Sequence, residues 1–147
     1  MNSTNSQSLL TAGVQTLETF AFMMIDPINE DQECDFLMGV TISFSGKING
    51  KIEIWTEESF LSTVHETLMG SSDTSENKIG MEKCLMEIAN IVAGNFLTEN
   101  FGVHTEFDLH LPERCDFQGF YENRVWLSDM ETDGKILLQV ELENVEN

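Results

Sequence analysis

The chain has 147 residues, 41% of them hydrophobic, and carries 7 Lys plus Arg against 26 Asp plus Glu, a formal net charge of -19. That length and apolar content suit one domain, 1–147, built around a single core, and argue against a disordered chain. A surface this negative argues against nucleic acid and anionic lipid as partners, because both demand clustered cations.

The first residues, Met1-Asn-Ser-Thr-Asn-Ser-Gln, carry no positive stretch, and no apolar run approaches membrane-spanning length. Three cysteines, Cys34, Cys84 and Cys115, make an odd set that argues against a disulfide framework. A reduced, cytoplasmic protein is expected.

Helical spacing of Leu9, Leu10, Val14, Leu17, Phe20, Met24 and Ile25 predicts a helix over 8–25, stopped by Asp26-Pro27. An acidic loop follows, from Asn29 to Asp35. Val40, Ile42 and Phe44 alternate with polar residues, as do Ile52 and Ile54 with Lys51 and Glu53 beyond a Gly-containing connection. This period-two pattern predicts a β-hairpin. Thr56 reads as the N-cap of a helix carrying Phe60, Leu61, Val64 and Leu68 and ending near Gly70. The segment Asp73-Thr-Ser-Glu76 reads as a capping box for a long helix over 78–100 that closes at Gly102. Strands are predicted over 106–111, 124–128 and 135–143, with Asp133-Gly134 turning between the last two. The expected class is α+β: an antiparallel sheet covered by long helices, in an α-β-β / α-β-β-β pseudo-repeat.

At about 100° per residue, the long helix divides into two faces. Leu85, Ile88, Val92 and Phe96 form an apolar stripe, and Glu87, Asn90, Gly94 and Thr98 lie opposite, with Lys83 one turn earlier. Glu87 and Asn90, at i and i+3, are neighbours. The plain reading is a solvated face. Two residues argue otherwise: asparagine is a poor helix-interior residue, and Gly94 costs about 1 kcal/mol relative to alanine. Glycine one turn after an amide makes sense where another protein's backbone must come close.

The run Met86-Glu87-Ile88-Ala89-Asn90-Ile91-Val92-Ala93-Gly94-Asn95 resembles the signature helix of the CheC/CheX/FliY chemotaxis phosphatases, Glu-x-x-Asn with a distant proline. Here Pro112 follows Asn90 after 21 intervening residues, one fewer than that family's spacing. The stretch from Phe44-Ser-Gly46 to Gly50-Lys-Ile-Glu-Ile54 is similar to the family's first hairpin, and the resemblance covers about residues 8–142. One position departs: the family has Asp or Ser four residues before the glutamate, where this chain has Lys83.

The resemblance implies a CheC-like fold and a protein phosphatase acting on the aspartyl-phosphate of a CheY-like response-regulator receiver. Asn90 would orient the hydrolytic water, a role an amide fills by donating and accepting without titrating. Glu87 would pair with the receiver's active-site lysine. Lys83, Gly94 and Thr98 would line the partner-binding face. Mg2+ would come from the receiver, with no cofactor bound by this chain. Aligning Glu18 with Glu87 puts Ala21 where Asn90 stands, so only one half carries a competent site. That is the CheX arrangement, which brings with it a homodimer.

The competing readings are weaker. His104, His110 and Cys115 match no zinc spacing, and the loop from Asp26 to Asp35 lacks the EF-hand glycine and closing glutamate. No Gly-x-Ser-x-Gly or phosphate-cradling loop occurs. Met23, Met24, Met81 and Met86 read as core filling. The alternative of substance is a CheX-like module that binds a receiver or motility protein without catalysis, a reading that Lys83 favours.

Overall fold

The computed structural model describes residues 4–69 and 77–143. The elements run α1 (Thr4–Phe20), β1 (Ile25–Ile28), β2 (Met38–Gly46), β3 (Asn49–Thr56), α2 (Glu58–Met69), α3 (Asn77–Phe101), β4 (Phe107–Leu109), β5 (Glu113–Arg114), β6 (Asn123–Asp129) and β7 (Lys135–Glu143). The strands form one antiparallel sheet in the order β1-β6-β7-β3-β2-β4, with β5 also on β2. The order has an internal twofold. The hairpins β2–β3 and β6–β7 meet through their second strands, and each is flanked by the short strand of the other half, β4 beside β2 and β1 beside β6. The α+β class and the pseudo-repeat expected from the sequence are both present.

Helices α1 and α3 pack together on one face of this sheet, and α2 packs against α3 and β7. Leu85, Ile88, Val92 and Phe96 are fully buried there with Leu9, Leu17, Ile42, Ile52 and Phe44. Asn95 Nδ2 donates to Thr16 Oγ1 at 3.0 Å, and Asn100 Oδ1 accepts from Ser8 Oγ at 3.0 Å. These amide contacts fix the rotation of α3 against α1, and therefore which residues α3 turns to solvent.

The first helix is shorter than predicted at its C-terminal end. It stops at Phe20, and the amides of Ala21 and Met23 both bond the Leu17 carbonyl around Phe22, held at φ 55°. The helix thus ends in a left-handed turn with phenylalanine at the positive-φ position that glycine usually fills. Asp26-Pro27 therefore breaks no helix. It lies in β1 at the sheet edge, where a missing N–H is tolerated. Thr56 is not an N-cap but the last residue of β3, with its hydroxyl buried and unpartnered. Met24 is exposed, contrary to a core role, whereas Met23 and Met81 are buried. The capping box at Asp73–Glu76 and the stop at Gly70 lie outside the described residues.

The other face of the sheet carries a second apolar cluster. Trp55, Trp126 and Leu137 are covered by Phe36, Cys34 and Cys115 from the flanking loops. Beneath them Glu53 is 4% exposed, accepting from Trp55 Nε1 at 2.9 Å, from Gln139 Nε2 at 3.2 Å and from the Tyr121 hydroxyl. Gln139 also ties down the covering loop, accepting from the Tyr121 amide and donating to the Gly119 carbonyl. A polar residue in an alternating strand is here a satisfied buried carboxylate.

Candidate functional site

Helix α3 runs 25 residues without a break and ends where Gly102, at φ 91°, donates its amide to the Thr98 carbonyl. Its core stripe is fixed by burial, so the opposite face must project. Lys83, Glu87, Asn90 and Thr98 are all exposed on that face, and Gly94 is half-buried between them. The side chains of Lys83, Glu87 and Asn90 make no hydrogen bond or ion pair among the described residues. A Cβ placed on Gly94 would meet nothing within 4 Å. The five residues singled out from the sequence are thus brought together on one convex ridge.

The ridge has a neighbour that sequence reasoning missed. Strand β2 opposes Phe44 to Leu109 and Thr41 to Glu113, so two residues of β2 face three of the partner segment, His110 to Pro112. This is a β-bulge, and it pushes Leu111 and Pro112 off the sheet edge. The segment is tied to α3 at both ends. Phe107 meets the Phe101 ring with centroids 5.2 Å apart, and Arg114 Nη1 bonds Glu82 Oε2 at 3.0 Å. From the pair with Arg114, Asn90 lies about 12 Å along the helix and Leu111 about 10 Å along the strand. On these rises Leu111-Pro112 falls near the level of the Glu87–Asn90 turn. The available signal was proline inside a strand-like run, which marks an edge or a bulge.

The rival groups do not assemble. His104 and His110 are exposed, and Cys115 belongs to the aromatic cluster across the sheet. Among the described residues no three His, Cys, Asp or Glu side chains form a group that would hold a metal ion. All three thiols are pushed up by burial, Cys34 and Cys115 to about 11, which makes them poor nucleophiles at neutral pH. In the acidic loop Asp31 is engaged by protein donors. Its carboxylate takes a bidentate bond from Arg124, at 2.8 and 2.7 Å, and one from Trp126 Nε1 at 2.9 Å. No described helix is long and apolar enough to cross a membrane.

The amide and the carboxylate project side by side from an exposed helix face. Residues 38–124, more than half of the chain, match the family described as chemotaxis phosphatase CheX. The chain belongs to the CheX family. Solved structures agree on the fold. A CheX from Vibrio vulnificus has a TM-score of 0.74 at 17% identity, covering 97% of this chain and 100% of that one. The CheX-CheY-BeF3-Mg+2 complex from Borrelia burgdorferi has 0.72 at 18%, covering 94% and 97%. A CheC-like superfamily protein from Shewanella sp. PV-4 has 0.72 at 18%, covering 98% and 100%. No curated protein matches the sequence.

Proposed function

We propose that this chain is a cytoplasmic phosphatase that hydrolyses the aspartyl-phosphate of a CheY-like receiver. The observation that carries the reading is the pair of exposed side chains, Glu87 and Asn90, unpartnered among the described residues, on the α3 ridge of a CheX-family protein. A polar pair held ready in solvent contributes nothing to this fold. In the receiver's cleft Asn90 orients water in line with the phosphorus, and Glu87 accepts a charge-assisted bond from the receiver's lysine. Phosphoryl transfer asks for positioning and charge neutralisation more than covalent help, so one amide suffices on this side. The receiver brings its own Mg2+, and this chain binds no cofactor. Lys83, Gly94 and Thr98 complete the docking face. The protein works as a homodimer that leaves both ridges open; sedimentation showing only monomer at micromolar concentration would count against that assembly.

The test is the decay of phosphorylated CheY-type receivers from the host, with and without this protein. Asn90→Ala should cut the maximal rate about 100-fold while leaving receiver affinity nearly unchanged, because the amide acts in the transition state. An Asn90→Ala protein as active as wild type would refute the mechanism. A second reading, binding without hydrolysis, is favoured by Lys83, exposed and without an ion pair among the described residues, where the family carries Asp or Ser. It predicts a stable complex with the phosphorylated receiver and no change in its decay.

A further inference from the structure

Leu111 is 85% exposed, more than any other large apolar side chain among the described residues. A single exposed leucine is ordinary. This one differs in how it is held. The bulge between β4 and β5 carries it outward, Pro112 stiffens the backbone beside it, and the His110 amide bonds the Ser43 carbonyl at 2.9 Å. The Arg114–Glu82 pair then fastens the bulge to α3. Leu111 is thus an apolar group on a fixed support, level with Asn90.

The near flank of α3 continues the apolar surface. Ile79 and Met86 fall on the same side of the helix as Asn90, between the ridge and the edge strand, by the 3.6-residue period. Ile79 is 63% exposed, and Met86 is half-buried against the core. Asn90 therefore has a charged neighbour along the ridge, Glu87, and an apolar rim along the sheet edge. A polar centre walled on one side by anchored apolar groups is the arrangement that excludes water from a docked contact.

We propose that Leu111, held by the Arg114–Glu82 pair, is a second contact on the same receiver and sets affinity for it rather than turnover. This rests on the function proposed above. Its occupant is an apolar patch on the receiver's surface beside the phosphorylated cleft. Arg114 is a positioning residue, since it acts through the bulge and not on the receiver.

The experiment measures kcat and KM on the phosphorylated receiver that wild type dephosphorylates fastest. Burial of a leucine side chain corresponds to roughly 10- to 100-fold in affinity. Leu111→Ser should raise KM at least about tenfold at unchanged kcat, and Leu111→Met should stay near wild type. Arg114→Ala should raise KM by a smaller factor, with recovery in Arg114→Lys. Val103→Ser, which removes an exposed apolar group outside this rim, should leave both constants unchanged. An unchanged KM in Leu111→Ser, while Asn90→Ala is inactive, overturns this inference alone. A fall in kcat with KM unchanged overturns it too. If no host receiver decays faster with wild type, the proposed function fails and this inference with it.

Discussion

Replacing Gly94 separates a docking ridge from a solvated helix face, because the two readings predict opposite pairings of stability and activity. Gly94 is interior to α3, and the space where its side chain would stand is open. Gly94→Ala should therefore gain the helix-propensity difference, about 0.8–1 kcal/mol. For a chain of this size that corresponds to an increase in Tm of about 2–4 °C. Gly94→Gln should keep part of the gain, since glutamine is a good helix former and its Cβ would meet nothing within 4 Å. On the receiver the same side chain would occupy space needed by the partner's backbone. A displacement of about 1 Å at the reacting centre costs on the order of 100-fold in rate. Gly94→Gln should thus melt above wild type, while kcat/KM for the phosphorylated receiver falls by about 10- to 100-fold. Calorimetry and phosphoryl-decay kinetics on the same preparations measure both. Full activity in Gly94→Gln, with the raised Tm, would show that no partner approaches this glycine, and the assignment of the ridge would fall.

Two further outcomes follow from charges on the surface. Glu87→Ala should weaken binding of the receiver and flatten its dependence on salt between low and physiological ionic strength, because the lost contact is a screened charge pair. Asp31 is held down from 3.8 to about 2, chiefly by its bond to Arg124, so its ionised form is favoured in the folded state. That stabilisation is complete above 3.8 and lost as pH falls toward 2. Asp31→Asn should cost about 0.2–1 kcal/mol at neutral pH, as suits a partly exposed pair, and its Tm deficit should close below pH 2.

Elements whose signal is local were legible in the sequence. The stripe Leu85, Ile88, Val92 and Phe96 dictates the rotation of α3, and alternation from Val40 to Ile54 dictates the β2–β3 hairpin. Legibility failed where long-range contacts decide. Helix α1 ends through a backbone cap around Phe22, a residue that gives no C-cap signal in the sequence. Residues Ile25 to Ile28 become a strand because β6 offers them an edge, although Asp-Pro reads locally as a break. Glu53 is buried because Trp55, Tyr121 and Gln139 converge on its oxygens from three places in the chain. The exposed polar face of α3 was readable, but its apolar companion was not. The segment that carries Leu111 is joined to α3 by a bulge and an ion pair between residues 32 apart in sequence, which no local pattern announces.

The internal twofold of the sheet raises the question of why one half carries the proposed docking face and the other does not. Placing Glu18 opposite Glu87 makes Ala21 the counterpart of Asn90, and the structure adds more than the missing amide. Asn90 stands 11 residues before the end of α3, exposed, on a helix that continues past it. Ala21 lies beyond the last turn of α1 and is 0% exposed. The chain reverses there through Phe22 and enters β1, so the backbone at Ala21 belongs to the cap and its methyl to the core. An asparagine at that position would bury an amide among Leu17, Met23 and their neighbours, at a cost of about 1–3 kcal/mol if it found no partner. The first half has therefore given its helix end to closing the fold. The second half, capped 12 residues later than Asn90 by Gly102, keeps a helix on both sides of its amide, which is what the proposed positioning of a water would require.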